Sequence, residues 1–110
     1  MSPSSAETSA ATERAPAPIP RLSIVIPTFG RAERAARLVA HLATQTLPPD
    51  AFEVIVVDDG SPEDPCPTIE KVAHPFHLVL TRQVNRGAAA ARHRGAMLAR
   101  ADVVLFIDDD

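Results

Sequence analysis

Four short apolar runs, Leu22–Ile26, Val54–Val57, His77–Leu80 and Val103–Ile107, constrain this chain more than any other feature, because each is followed by a polar cluster. They are rich in Val, Ile and Leu and mostly continuous rather than alternating, the pattern of strands covered on both faces. Helical patterns lie between them. Ala35, Leu38, Val39 and Leu42 recur at spacings of three and four, which predicts a helix from Arg31 to Thr44. Gly87 to Arg100 is Ala-rich, with Ala91, Gly95, Leu98 and Ala99 on or near one stripe, and Asp64–Ala73 carries a weaker pattern that stops before Pro75. Alternation of strand and helix predicts an α/β fold: a mainly parallel sheet of about four strands flanked by helices. No internal repeat is present.

The first 20 residues are mostly Ala, Ser, Thr, Pro and Glu, with no apolar period, and Pro16, Pro18 and Pro20 block helix and ladder alike. Residues 1–20 are expected to be a disordered tail and residues 21–110 the folded unit. A net charge of −3, scattered arginines and 4% aromatics leave no face for nucleic acid. The lone Cys66 cannot form an intrachain disulfide, and it sits between Pro65 and Pro67 as an ordinary loop thiol. That composition points to a reducing compartment: the cytoplasm, or the cytosolic face of a membrane. The N-terminus lacks the basic-then-apolar order of a secretory signal. No apolar run approaches the ~20 residues of a membrane span.

Ligands of open parallel sheets bind outside the carboxyl ends of the strands. Four loops are therefore expected at one edge: Pro27 to Arg31, Asp58 to Ser61, Arg82 to Gly87, and Asp108 to Asp110. Two of them carry carboxylates, five in all: Asp58, Asp59, Asp108, Asp109 and Asp110. At an effective dielectric of ~20, two such charges ~6 Å apart repel by about 3 kcal/mol. A divalent cation or a hydrogen-bonding ligand would relieve this, and oxygen-only ligation suits Mg²⁺ or Mn²⁺ bound together with substrate phosphates. Gly60 is expected at a positive φ or a close backbone approach, and Ser61 as the cap of a helical turn that begins at Pro62. The amides of the Asn85-Arg86-Gly87 turn could attract phosphate at a helix start. Arg92 is the candidate for forked phosphate recognition, whereas Arg94, two residues on, points elsewhere and is solvated. His41, His74, His77 and His93 show no metal-ligand spacing.

Taken together these residues resemble family 2 glycosyltransferases. Ser23-Ile24-Val25-Ile26-Pro27-Thr28-Phe29-Gly30-Arg31 is similar to that family's opening strand and loop. Glu53 to Ser61 is similar to its second strand with the Asp-Asp-Gly-Ser signature. Asn85 to Gly95 is similar to its Asn-x-Gly-x-x-x-Ala-Arg-Asn-x-Gly helix, and Phe106 to Asp110 to its Asp-x-Asp motif. The resemblance implies the Rossmann-like nucleotide-binding half of a GT-A domain. The implied activity is transfer of a sugar from a nucleotide-diphosphate sugar, UDP-linked, to a glycan, lipid or protein acceptor hydroxyl with inversion. It also implies roles. Pro27 and Thr28 line base and ribose, Asp59 hydrogen-bonds the base, Arg92 faces the nucleotide, Asp108 contacts the ribose, and Asp110 holds Mn²⁺ or Mg²⁺ on the diphosphate.

Departures from the pattern are His93 for the usual Asn, Ala101 for a common Gly and Gly30 for a frequent Asn. The general base and acceptor half of the family fall outside these residues, so the sequence is expected to be part of a longer chain that stops at the Asp-x-Asp motif. Alone it should bind and not transfer. Two other functions compete. One is a nucleotide-binding remnant without activity. The other is a Mg-dependent aspartyl phosphatase or phosphotransferase built on Leu105 to Asp110, which leaves Pro27-Thr28 and Asp59-Gly60-Ser61 unexplained. A dinucleotide-binding fold would need Gly-x-Gly-x-x-Gly after the first strand, where Gly30 stands alone.

Overall fold

A computed structural model describes residues 19–109. Residues 1–18 of the expected tail, and the candidate metal ligand Asp110, lie outside the described residues. The four expected strands are present as β1 (Leu22–Thr28), β2 (Phe52–Asp58), β3 (His77–Arg82) and β4 (Val103–Phe106). They are all parallel, in the order β3-β2-β1-β4. The helices are α1 (Ala32–Leu42), α2 (Cys66–Glu70) and α3 (Ala88–Leu98), and a 3-10 turn at Pro49–Ala51 leads into β2.

Strand alternation divides the core in two. Ile24 and Ile26 of β1 and Val54 and Val56 of β2 face one side, where Ala35 and Val39 of α1 and Ile69 of α2 cover them. Val25, Ile55 and Val57 face the other side and meet Ala91 of α3. Leu38 and Leu42 complete the α1 stripe at the margin of the first core. Gly95 lets α3 approach closely, since a Cβ there would run into the side chain of Val25. Leu98, expected on the same stripe, is exposed instead at the last residue of α3, and Ala99 after it packs against the second core.

Burial on both faces holds for β1 and β2 but not for the outer strands. Val103, Leu105 and Phe106 of β4 are exposed, and β3 is only half-buried. Helix α3 packs mainly over β1 and β2, with Val104 of β4 at the margin of that core.

Strands β1, β2 and β3 run further than their apolar runs suggested. Register carries pairing through Thr28↔Asp58 and Asp58↔Arg82, so Thr28, Asp58 and Arg82 are strand ends rather than loop residues. Pairing of β1 with β4 stops earlier, at Val25↔Phe106, with Val25 O accepting from the Ile107 amide. Pro27 points its nitrogen to that same side and has no N–H to donate. The tips of β1 and β4 thus part, and a crevice opens at the point where strand order reverses.

At the opposite end of the sheet, Glu53 is buried within hydrogen bonds from Ser23 Oγ (2.6 Å), the Arg100 amide (2.8 Å) and Arg100 Nε (2.9 Å). Burial raises its pKa, but the hydrogen bonds from Ser23 and Arg100 and the Arg100 charge outweigh that and hold it below the ordinary 4.5. Ser23 Oγ in turn accepts from the Ala101 amide, which fixes the turn from α3 into β4.

Candidate active site

The crevice is a cavity of about 300 Å³. Pro27, Thr28, Phe29 and Arg31 line it from the β1 tip, and Asp59 from the β2 tip. Ala88, Ala91 and Arg92 come from α3, and Asp108 and Asp109 follow β4. Every candidate site residue within the described range, Pro27, Thr28, Asp59, Arg92 and Asp108, is brought to this one cavity.

Asp58 and Asp59 are neighbours with different jobs. Asp58 is fully buried and accepts from the Ser61 amide (2.9 Å), the Ser61 hydroxyl and Arg82 Nε (3.0 Å). The second Arg82 nitrogen reaches Ser61 O at 2.6 Å, so the β2 loop is knotted to the end of β3. Ser61 does not cap a helix at Pro62: its hydroxyl accepts from the Gly30 amide at 2.7 Å and ties the β1 loop to the β2 loop. Its bond to Asp58 holds it there, and α2 begins only at Cys66.

Asp59 Oδ1 accepts from Gln83 Nε2 (2.9 Å) and the Arg86 amide (2.8 Å). Its Oδ2 accepts from the Gly87 amide (2.8 Å) and Asn85 Nδ2 (3.3 Å). Burial raises its pKa, yet the bonds from Gln83, Arg86 and Gly87 prevail and the carboxyl sits below its ordinary 3.8. The amides expected to draw phosphate are therefore already turned onto Asp59. Gly60 meets both expectations, with φ at 84° and Asn85 so close that a Cβ would strike its backbone.

At the β4 tip the Asp109 side chain is only 5% exposed. It accepts from Thr28 Oγ1 at 2.6 Å and from Arg31 Nη1 at 3.3 Å. Asp108 is 62% exposed and meets Arg92 Nη2 at 3.3 Å. Arg94 turns away to Thr81 Oγ1, as its spacing from Arg92 required. The aspartates expected to repel one another are thus relieved by arginines: Asp58 by Arg82, Asp109 by Arg31 and Asp108 by Arg92. Among the described residues no group of three His, Cys, Asp or Glu side chains could hold a metal.

Phe29, Arg31, Ala88, Ala91 and Asp109 also line the cavity, and sequence reasoning gave none of them a role of its own. The triplet of aspartates signalled Asp109, but only the parting of β1 from β4 shows it turned inward. Ala88 and Ala91 make room beside the cavity, and an Ala-rich helix carries no mark of which alanines do so. Cys66 is an inert thiol: burial, with Asp64 beside it, pushes it up to about 11.

A family model described as "Glycosyl transferase family 2" matches residues 23–110. A validoxylamine A glucosyltransferase of Streptomyces hygroscopicus subsp. limoneus is 37% identical over 92 residues, covering 82% of this chain and 20% of that protein. The crystal structure of Staphylococcus aureus TarS (residues 1–349) superposes with a TM-score of 0.74 at 30% identity, over 82% of this chain and 27% of that one. TarS is a poly(ribitol-phosphate) beta-N-acetylglucosaminyltransferase, and one of its structures is a complex with UDP-GlcNAc. A mannosyltransferase from Pyrobaculum calidifontis, in complex with GDP-Man and Mn²⁺, superposes with a TM-score of 0.76 at 27% identity, over 83% of this chain and 28% of that one. The chain spans about a fifth of the length of the first curated relatives, 20% and 22%. No helix among the described residues is long and apolar enough to cross a membrane.

Proposed function

Because the chain belongs to glycosyl transferase family 2, we propose that it supplies the donor site of an enzyme moving a sugar from a nucleotide-diphosphate sugar, UDP-linked, to an acceptor hydroxyl with inversion. The observation that carries this reading is the convergence of Pro27, Thr28, Asp59, Arg92 and Asp108 on one cavity at the reversal of strand order. The donors held by the two solved relatives, UDP-GlcNAc and GDP-Man, support it.

In this reading Pro27 and Thr28 take the base and ribose, with Asp59 at the base. The four bonds on Asp59 keep its carboxylate still, so any ligand contact meets a preorganised group. Arg92 faces the phosphates. Its pair with Asp108 is exposed and long, so exchanging that carboxylate for a diphosphate oxygen costs little. The exchange frees Asp108 for a ribose hydroxyl.

Asp108 is an exposed oxygen donor at the mouth, next in the chain to the Asp109–Asp110 pair. That donor chemistry fits Mn²⁺ or Mg²⁺, which bind through one or two carboxylates plus phosphate and water. Asp110 would hold the ion, which when bound neutralises the leaving nucleoside diphosphate. The general base is assigned to no residue of this chain. The acceptor is a glycan, lipid or protein. The proposed location is the cytoplasm or the cytosolic face of a membrane, in keeping with the lone, unreactive cysteine.

The test is thermal unfolding of the whole natural protein. UDP with Mn²⁺ is expected to raise Tm, and Asp110→Ala to remove the Mn²⁺-dependent part of the shift. A folded sample whose Tm ignores nucleoside diphosphates would overturn the reading. A shift with beryllofluoride instead would favour the aspartyl-phosphate chemistry.

A further inference from the structure

We propose that Asp109 decides what Thr28 can recognise. By taking the hydroxyl proton of Thr28 it leaves Oγ1 as a pure acceptor, so the ligand group seated there is an N–H or O–H of a nucleoside and not a phosphate oxygen. The inference rests on the donor-site reading above and specifies how one end of that site works.

Thr28 Oγ1 lies 2.6 Å from Asp109 Oδ2, inside the range for a hydroxyl donating to a carboxylate. A carboxylate only accepts, and a threonine hydroxyl has one proton, so the direction of this bond follows from the chemistry. Asp109 cannot readily swing away: its side chain is 5% exposed, and Arg31 Nη1 holds the other oxygen at 3.3 Å. Thr28 is buried and makes no other side-chain hydrogen bond among the described residues, yet it lines the cavity. Its remaining lone pair is what a ligand meets.

A phosphate oxygen placed at Thr28 Oγ1 would set acceptor against acceptor and gain no hydrogen bond there for its lost water. Arg92, which also lines the cavity, is a donor-only group suited to phosphate. The cavity thus has an accepting atom at Thr28 Oγ1 and donating groups at Arg31 and Arg92, both of which line it. A nucleoside diphosphate supplies the matching pair, with ribose hydroxyls and a ring N–H at one end and anionic oxygens at the other.

The test is calorimetric titration of the full-length protein with UDP, and separately with inorganic pyrophosphate, both in Mn²⁺. Thr28→Val keeps the shape and removes the hydroxyl. It is expected to weaken UDP roughly tenfold, the loss for one net hydrogen bond, and to leave pyrophosphate unchanged. Thr28→Ser should restore UDP binding. The Thr28→Val penalty should vanish for one of 2′-deoxy-UDP, 3′-deoxy-UDP or ring N-methylated UDP, which tells a ribose O–H from the base N–H. Thr28→Val and Asp109→Ala should be non-additive for UDP. Equal losses for UDP and pyrophosphate, a penalty no analogue erases, or strict additivity would overturn the inference while leaving the donor site standing. Wild-type protein that binds neither UDP nor pyrophosphate would overturn both.

Discussion

Asp59 shows how far a single residue can be read from sequence. Its place beside a strand end was legible from Val54–Val57 and the Gly60-Ser61 turn. Its partners were not, because Gln83, Asn85, Arg86 and Gly87 come from a loop more than 20 residues away. Removing the carboxylate strands two backbone N–H groups: Asp59→Ala is expected to cost on the order of 2 kcal/mol in urea unfolding, before any ligand is added. Asp109 was hidden for a similar reason, since a run of three aspartates does not say which one turns inward. Acid stability follows from Asp59 and Glu53 together, whose folded pKa values both lie below their ordinary 3.8 and 4.5. A depressed carboxylate stabilises the fold at pH above its unfolded value, and that contribution is lost as pH falls through the folded value. Tm should therefore hold down to about pH 5 and fall steeply below pH 4. Glu53→Gln should lower Tm at neutral pH and flatten that acid slope, and a slope unchanged by the substitution would count against the pairing with Arg100.

At the level of elements, the apolar runs and the α1 stripe carried their own assignments. Four strands and three helices fall where period and composition place them, because burial of β1 and β2 demands continuous apolar residues. The end of each strand was less legible. Thr28, Asp58 and Arg82 are polar, and only pairing with a neighbour makes them strand. Strand β4 is outermost beside β1, and Val103, Leu105 and Phe106 are exposed on it, although the composition of Val103–Ile107 is that of a buried run. Gly95 is the contact on which the seating of α3 against β1 depends. Gly95→Ala should destabilise by roughly 1–3 kcal/mol, the usual cost of overpacking, although alanine is the better helix former. A stabilised Gly95→Ala protein would mean that α3 sits further from Val25.

For the molecule as a whole, the parallel order β3-β2-β1-β4 gathers distant polar residues at one sheet edge. Residues from 27 to 109 meet there, while the Ser23, Glu53 and Arg100 network secures the opposite edge. That gathering was the most legible feature of the candidate site, since polar clusters after parallel strands converge at one sheet edge. The division of labour within it was not: Arg31, Arg82 and Arg92 each take one of the described aspartates. A crystal structure of the full-length protein grown with UDP and Mn²⁺ tests this most directly. Nucleotide density is expected between the Pro27–Arg31 loop and Arg92, with Asp108 turned from Arg92 toward the ribose. Nucleotide held elsewhere, with this crevice filled only by water, would show that the converging strand tips are not the donor site.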